Sequence, residues 1–216
     1  MLKLCDHLSN SAKNIGAVNT VKILENGKIF GHNSDGEGFI NNLLNHFPQF
    51  NFKSSNNLVI GAGGASRAII YSLIKQRVGK IYIANRSTKN LQIIIDHFQN
   101  FARQNHVELI AVELKNQYDF FNQIDLIINT SSLGMQGCEP LDINLENVKK
   151  TAVIYDIVYK PLYTKLLQDA KKNNLPIITG VGMLIHQALI GFEMWFNTKP
   201  EYSLELEKTI TEIANL

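Results

Sequence analysis
The sequence predicts an α/β protein built on a doubly wound, parallel sheet of the Rossmann type. Two observations carry this. Short apolar strands alternate with helical segments from Leu58 onward, which implies a parallel sheet covered on both faces. A glycine-rich turn, Gly61-Ala62-Gly63-Gly64-Ala65-Ser66, joins the first of those strands to the helix that follows.

Taken in order, Leu4 to Lys13 has the pattern of a short amphipathic helix. Val18 to Ile23 and Lys28 to His32 are predicted strands flanking Asn26-Gly27, a pair that tolerates positive φ and favours a tight hairpin. A helix is expected from Gly38 to about His46, and the aperiodic stretch Pro48 to Asn57 is a connection. The strand Leu58-Val59-Ile60 leads through the glycine turn to a helix over Arg67 to Gln76, whose apolar residues Ala68, Ile69, Tyr71 and Leu73 suit packing. Strands follow at Lys80 to Asn85, Val107 to Val112, Asp125 to Thr130, Ala152 to Asp156 and Ile177 to Thr179. Helices are expected at Leu91 to Asn105, Tyr163 to Lys172 and Met183 to Phe196, with a closing helix at Ser203 to Ala214. The crossovers are expected to be right-handed.

Composition narrows the class of partner. The 216 residues are 45% hydrophobic and 19% charged, with a net charge of +2, enough apolar material for one or two domains. No long Lys/Arg block marks a nucleic-acid surface. No apolar run reaches membrane-spanning length, and the N-terminus lacks the apolar core of a signal peptide. Cys5 and Cys138 lie far apart without metal-type spacing, and are read as free thiols in a reducing cytoplasm. No metal site is expected; His186 is read as structural, and Trp195 as packing.

The glycine turn departs from strict GxGxxG because Ser66 occupies the third glycine position. The physical logic survives the change. Gly61 permits the tight turn, Gly63 lets the backbone approach a pyrophosphate, and small Ala65 and Ser66 allow close packing of helix on strand, while Ala62 and Gly64 complete the cradle. The helix N-terminus offers free N–H groups and a positive dipole end. The end of the next strand selects the cofactor. NAD enzymes commonly place a carboxylate there, whereas this chain has Asn85-Arg86-Ser87-Thr88-Lys89. Arg86 suits adenine stacking or a 2′-phosphate clamp, with Ser87 and Lys89 adding contacts. NADP is therefore read over NAD, the alternative being a solvated basic loop.

Seven phrases in order then resemble the shikimate dehydrogenase family. Gly16-Ala17-Val18-Asn19-Thr20 and Gly31-His32-Asn33-Ser34-Asp35-Gly36 look like its substrate-binding segments. Gly61 to Ser66 and Asn85-Arg86-Ser87 look like its NADP site, and Asn129-Thr130-Ser131-Ser132-x-Gly134-Met135 like its loop beside the nicotinamide. Tyr155-Asp156-Ile157-Val158-Tyr159-x-Pro161-Leu162-x-Thr164 and Gly182-Met183-Leu184-x-x-Gln187-Ala188 complete the set. The resemblance implies reduction of 3-dehydroshikimate to shikimate with NADPH, a step of aromatic amino acid biosynthesis by way of chorismate. It implies that Asn19, Asp35, Tyr159 and Gln187 face the substrate, with Asp35 as the catalytic carboxylate of a Lys–Asp pair. Thr130, Ser131, Ser132, Ile157, Gly180 and Met183 are implied on the cofactor side.

Each assignment has a plain structural alternative. Asn19 could end the turn before the hairpin, and Asp35 could cap the next helix. Tyr159 could be a core aromatic, and Gln187 could bond internally. The family's Asn-Val-Thr-x-Pro-x-Lys segment does not occur in this sequence, and its Ser-x-Ser segment, which precedes that lysine in the family, is not matched ahead of Asp6. The register of Asp6-x-Leu8-Ser9 places the family's lysine before Met1, so Lys3 is not its substitute. Lys89 also lies one residue earlier than the family's basic residue.

The expected organisation is a truncated substrate-domain remnant over residues 1–50, an NADP-binding domain over 51–182, and C-terminal helices over 183–216 returning to the substrate domain. The first 50 residues are expected to be weakly stabilised or paired with another chain, since an isolated hairpin is marginal; a homodimer is one such pairing. Two other readings remain open: a non-catalytic NADP-binding remnant, and a quinate/shikimate dehydrogenase.

Overall fold
The computed structural model describes residues 1–213. The six-stranded sheet contains β4 (Asn56–Ile60), β5 (Lys80–Asn85), β6 (Glu108–Glu113), β7 (Leu126–Asn129), β8 (Val153–Asp156) and β9 (Ile177–Ile178). Its order is β6-β5-β4-β7-β8-β9, and every pairing is parallel. The chain runs outward from β4 to β6, then returns to β7 and runs outward the other way. β4 and β7 therefore flank the point where the winding reverses, the crevice in which such sheets bind ligands.

Alternation along the strands feeds two cores. Val59, Ile81, Ile83, Ile128 and Tyr155 point to one face, under α3 (Gly64–Lys75) and α4 (Thr88–Gln104). Leu58, Ile60, Ile127 and Ile154 point to the other, under α5 (Lys165–Lys172). α6 (Gly180–Phe196) follows β9, and α7 (Leu204–Ile213) follows α6. The last residue of the expected closing helix, Ala214, lies outside the described residues.

A second, three-stranded sheet comprises β1 (His7–Leu8), β2 (Thr20–Ile23) and β3 (Ile29–His32), in the order β1-β3-β2. The expected helix over Leu4 to Lys13 is broken. Leu2–Leu4 form a single 3₁₀ turn, His7–Leu8 pair in parallel with β3, and only α1 (Asn10–Ile15) is α-helical. Ser9 caps α1 by accepting from the Ala12 N–H (3.1 Å), and Gly16, at φ +71°, ends it. The Ser9 and Gly16 caps satisfy the ends of the short α1, while His7 and Leu8 bond to β3 instead of continuing a helix.

α2 (Asp35–His46) does not pack with that small sheet alone. Phe39 and Leu43 are fully buried in the same core as Val59 and Ile128. The close approach depends on glycine. A β-carbon on Gly36 would lie 2.6 Å from the Ala68 carbonyl oxygen of α3, and one on Gly38 2.8 Å from the Gln187 nitrogen of α6. Trp195, expected to be packed, is half exposed, and its indole N–H donates to the Val21 carbonyl (2.8 Å). Half of the ring stays wet because the indole spans the edge of β2 instead of entering either core.

Two outcomes are expected. Helix propensity alone predicts that Gly38→Ala stabilises the chain by about 0.5–1 kcal/mol. Because backbone atoms of α6 cannot yield, the substitution is instead expected to cost about 1–3 kcal/mol, read as a lower urea midpoint. In hydrogen exchange, amides of β4, β7 and β8 are expected to be the slowest and those of β2 and β3 markedly faster, since the small sheet buries few side chains.

Candidate functional site
The glycine turn is shaped by its neighbour across the crevice. Gly61 adopts φ +120°, and a β-carbon there would lie 2.6 Å from the Thr130 Oγ. Thr130 donates its hydroxyl to the Ile60 carbonyl (2.7 Å), so the loops after β4 and β7 are joined at their bases. A β-carbon on Gly63 would meet nothing within 4 Å, and Gly63 and Gly64 are both exposed. Gly63 is the N-cap of α3 and has no side chain to occupy the first-turn N–H groups. The open cradle with uncapped donors fits a pyrophosphate. Ser66 contributes from beneath. It is fully buried and donates to the Gly61 carbonyl (2.8 Å), tying the helix to the turn.

The loop after β5 presents Arg86 and Lys89, both exposed, and no ion pair engages either among the described residues. Asn85 donates to the Ser87 carbonyl (3.2 Å), and Ser87 caps α4 by accepting from the Asn90 N–H (3.3 Å). The loop is thus preset with two cations, neither in an ion pair among the described residues, at the C-terminal end of β5.

On the other side of the crevice lies a cavity of about 390 Å³ lined by Ser131, Met135, Ile157, Val158 and Tyr159, among others. Gly180 forms part of the support: a β-carbon on it would lie 2.3 Å from the Ile157 carbonyl oxygen. Met183 is buried one turn further along α6. Ser131 donates its hydroxyl to Asn129 (2.7 Å), and Ser132 is exposed.

Asn19 and Asp35 are brought together. The Asn19 amide donates to the Asp35 carboxylate (2.7 Å) and accepts from the Ser34 N–H (3.0 Å). Asp35 is the first helical residue of α2; Ser34 holds the N-cap position that was one reading of Asp35. Burial raises the Asp35 carboxyl above its ordinary value, and the Asn19 hydrogen bond opposes this. Gln187 lies against Gly38, one turn along α2 from Asp35, and its amide donates to the Leu184 carbonyl (2.9 Å). Tyr159 stands 44% exposed at the rim of the cavity.

Sequence reasoning did not single out Asp156. It is fully buried and accepts from the Thr164 hydroxyl (2.6 Å), the Asn129 amide (2.9 Å) and the Val158 N–H (3.0 Å). The signal was a charged residue ending the apolar run Val153-Ile154-Tyr155, where a carboxylate needs partners.

Residues 43–158 match the family model for shikimate / quinate 5-dehydrogenase, and residues 180–204 match that for the shikimate 5′-dehydrogenase C-terminal domain. A shikimate dehydrogenase (NADP(+)) of Nitrobacter winogradskyi is 38% identical over 199 residues, 92% of this chain and 68% of the relative. The chain belongs to the shikimate dehydrogenase family. The crystal structure of shikimate dehydrogenase from Aquifex aeolicus superposes with a TM-score of 0.81 at 35% identity, covering 95% of this chain and 71% of that one. Quinate dehydrogenase from Corynebacterium glutamicum, solved in complex with NAD, gives 0.85 at 29% identity, covering 98% and 73%. Family membership therefore agrees with the fold read from the sequence. The glycine turn, the Arg86 loop and the Asn129 loop fall inside the first matched span, and Gln187 inside the second; Asn19 and Asp35 precede both.

Asp156 yields a pH prediction. Burial pushes its carboxyl up to about 6, against the pull of its three donors. An acid whose folded value exceeds the unfolded value of about 3.9 holds its proton more tightly when folded. Its contribution to stability is complete below about pH 4 and is lost as pH rises through 6, a change of about 3 kcal/mol. Urea unfolding at pH 4 and pH 7 should show this loss in the unaltered chain relative to Asp156→Asn.

Proposed function
We propose that the chain acts in the NADPH-dependent reduction of 3-dehydroshikimate to shikimate. The observation that carries this reading is the Asn19–Asp35 pair, held at the start of a helix that Gly38 locks against the Gln187 helix, beside an uncapped glycine turn. In this reading the first-turn N–H groups of α3 and the turn Gly61 to Ser66 hold the pyrophosphate. Arg86, with Ser87 and Lys89, holds the 2′-phosphate, and Asn85 shapes their loop. Ile157, Gly180 and Met183, with the loop Thr130 to Ser132, enclose the nicotinamide. Bound NADPH supplies the hydride; one proton from solvent completes the alcohol.

The protein's own work is binding, orientation and proton handling. Asn19 and Gln187 offer amides to ring hydroxyls, and Tyr159 closes the open side of the cavity. The half-buried Asp35 carboxylate accepts a hydrogen bond from the hydroxyl beside the reacting carbon and takes part in proton transfer to the oxygen. These 216 residues contain no Asn-Val-Thr-x-Pro-x-Lys segment. Asp35 is the proton-handling carboxylate that these residues supply, and Asp35→Asn is expected to lower turnover about 10²–10⁴-fold.

The test is shikimate-dependent reduction of NADP, followed by NADPH absorbance with quinate as the comparison substrate. Turnover with shikimate, strongly reduced in Asp35→Asn, supports the reading. No turnover above a cofactor-only control reduces the chain to an NADP-binding protein. Arg86→Gln is expected to weaken NADP binding about tenfold while leaving NAD binding nearly unchanged, because only the 2′-phosphate loses its guanidinium partner.

A further inference from the structure
We infer that Asp156 is a positioning residue, whose buried carboxylate sets the shape of the nicotinamide-side pocket by holding both loops that wall it. The inference rests on the cofactor reading above and adds a residue that touches neither cofactor nor substrate in that reading.

β7 and β8 end side by side, with Asn129 in register with Asp156. One carboxylate oxygen accepts from the Asn129 amide (2.9 Å) and from the Val158 N–H (3.0 Å); the other accepts from the Thr164 hydroxyl (2.6 Å). The three donors belong to three different segments. Asn129, once fixed, organises the loop beyond β7. Its oxygen accepts from the Ser131 N–H (3.1 Å) and the Ser131 hydroxyl (2.7 Å), and its amide also donates to the Leu133 carbonyl (2.9 Å). Val158 fixes the turn that carries Ile157 and Tyr159. Thr164 caps α5 and packs against Gly134, whose added β-carbon would lie 3.3 Å from the Thr164 Cβ.

The two walls, Ser131 and Met135 on one side and Ile157 and Tyr159 on the other, are therefore both referred to one carboxylate. An ionised carboxylate is acceptor-only, so it satisfies three converging donors at once. In a site that excludes water, a lost acceptor strands all three. The adenosine end should be indifferent to this network. The Arg86 loop follows β5, and β4 and β7 lie between β5 and β8.

Separating the two halves of the cofactor tests this. Binding of NADPH and of adenosine 2′,5′-bisphosphate, which lacks the nicotinamide half, is measured at pH 8 by calorimetry for the unaltered chain, Asp156→Ala and Asp156→Asn. Asp156→Ala is expected to lose about tenfold or more in NADPH affinity and to keep adenosine 2′,5′-bisphosphate affinity within about twofold. Asp156→Asn is expected to recover most of the loss, because its oxygen still accepts from Asn129 and Val158 while its amide faces the Thr164 hydroxyl. If Asp156→Ala does not fold, Thr164→Val, which deletes one donor, is expected to give a several-fold loss confined to NADPH. Equal losses for both probes in the folded variants overturn the inference, as does an Asp156→Ala chain that binds NADPH like the unaltered one. An unaltered chain that binds NADPH no more tightly than adenosine 2′,5′-bisphosphate overturns the inference alone. An unaltered chain that binds neither probe overturns the cofactor reading and this inference with it.

Discussion
Helix α2 joins the small sheet to the large one because it presents glycine where two other helices come closest. At Gly36 the backbone of α3 leaves no room for a β-carbon, and at Gly38 the backbone of α6 leaves none either. The rest of α2 then delivers Phe39 and Leu43 into the core beneath the six-stranded sheet. A helix held on two sides by backbone contacts has little freedom to tilt. Asp35 at its first turn is therefore fixed relative to both the glycine turn that opens α3 and the backbone of α6 at Gln187. Separation between the glycine turn and the Asp35 carboxylate is set by interhelical distance, a property that close packing makes stiff.

The crevice itself is a consequence of strand order. Only where winding reverses do two adjacent strand ends send their chains in opposite directions, leaving a gap between the loops after β4 and β7. The gap is narrow at its base, where Thr130 touches Gly61 and donates to Ile60. It opens above, where Gly63 and Gly64 expose backbone. One step along the sheet, the polar pair Asn129 and Asp156 sits at the ends of otherwise apolar strands. Buried polar groups of this kind tolerate no half-satisfied state. The loops around them are consequently held by side-chain hydrogen bonds, although they contain almost no regular structure.

Family membership and geometry constrain different things. The relatives span substrates as different as shikimate and quinate on one fold, so the fold by itself does not choose between them. Locally this chain presents a pair of exposed cations after β5, where many NAD enzymes carry an acid, and the Asn19–Asp35 pair at the head of α2. In the proposed function the first bears on which cofactor phosphate is recognised, and the second on how a proton reaches the reacting oxygen.

The sequence by itself determined the order of the strands and helices from β4 onward, the glycine turn and the absence of a carboxylate after β5. These are local signals: apolar runs bounded by helices, a turn needing positive φ, a charge at a strand end. It misread Leu4 to Lys13, where the Ser9 cap and the pairing of His7 and Leu8 with β3 outweighed helical spacing. It also gave no account of Asp156, nor of why positions 36, 38 and 180 are glycine. Those were decided by tertiary structure alone. A β-carbon is excluded, or a buried carboxylate satisfied, by atoms as distant in sequence as Asn129 is from Asp156 or Gly38 from Gln187, and such contacts leave no periodic trace along the chain.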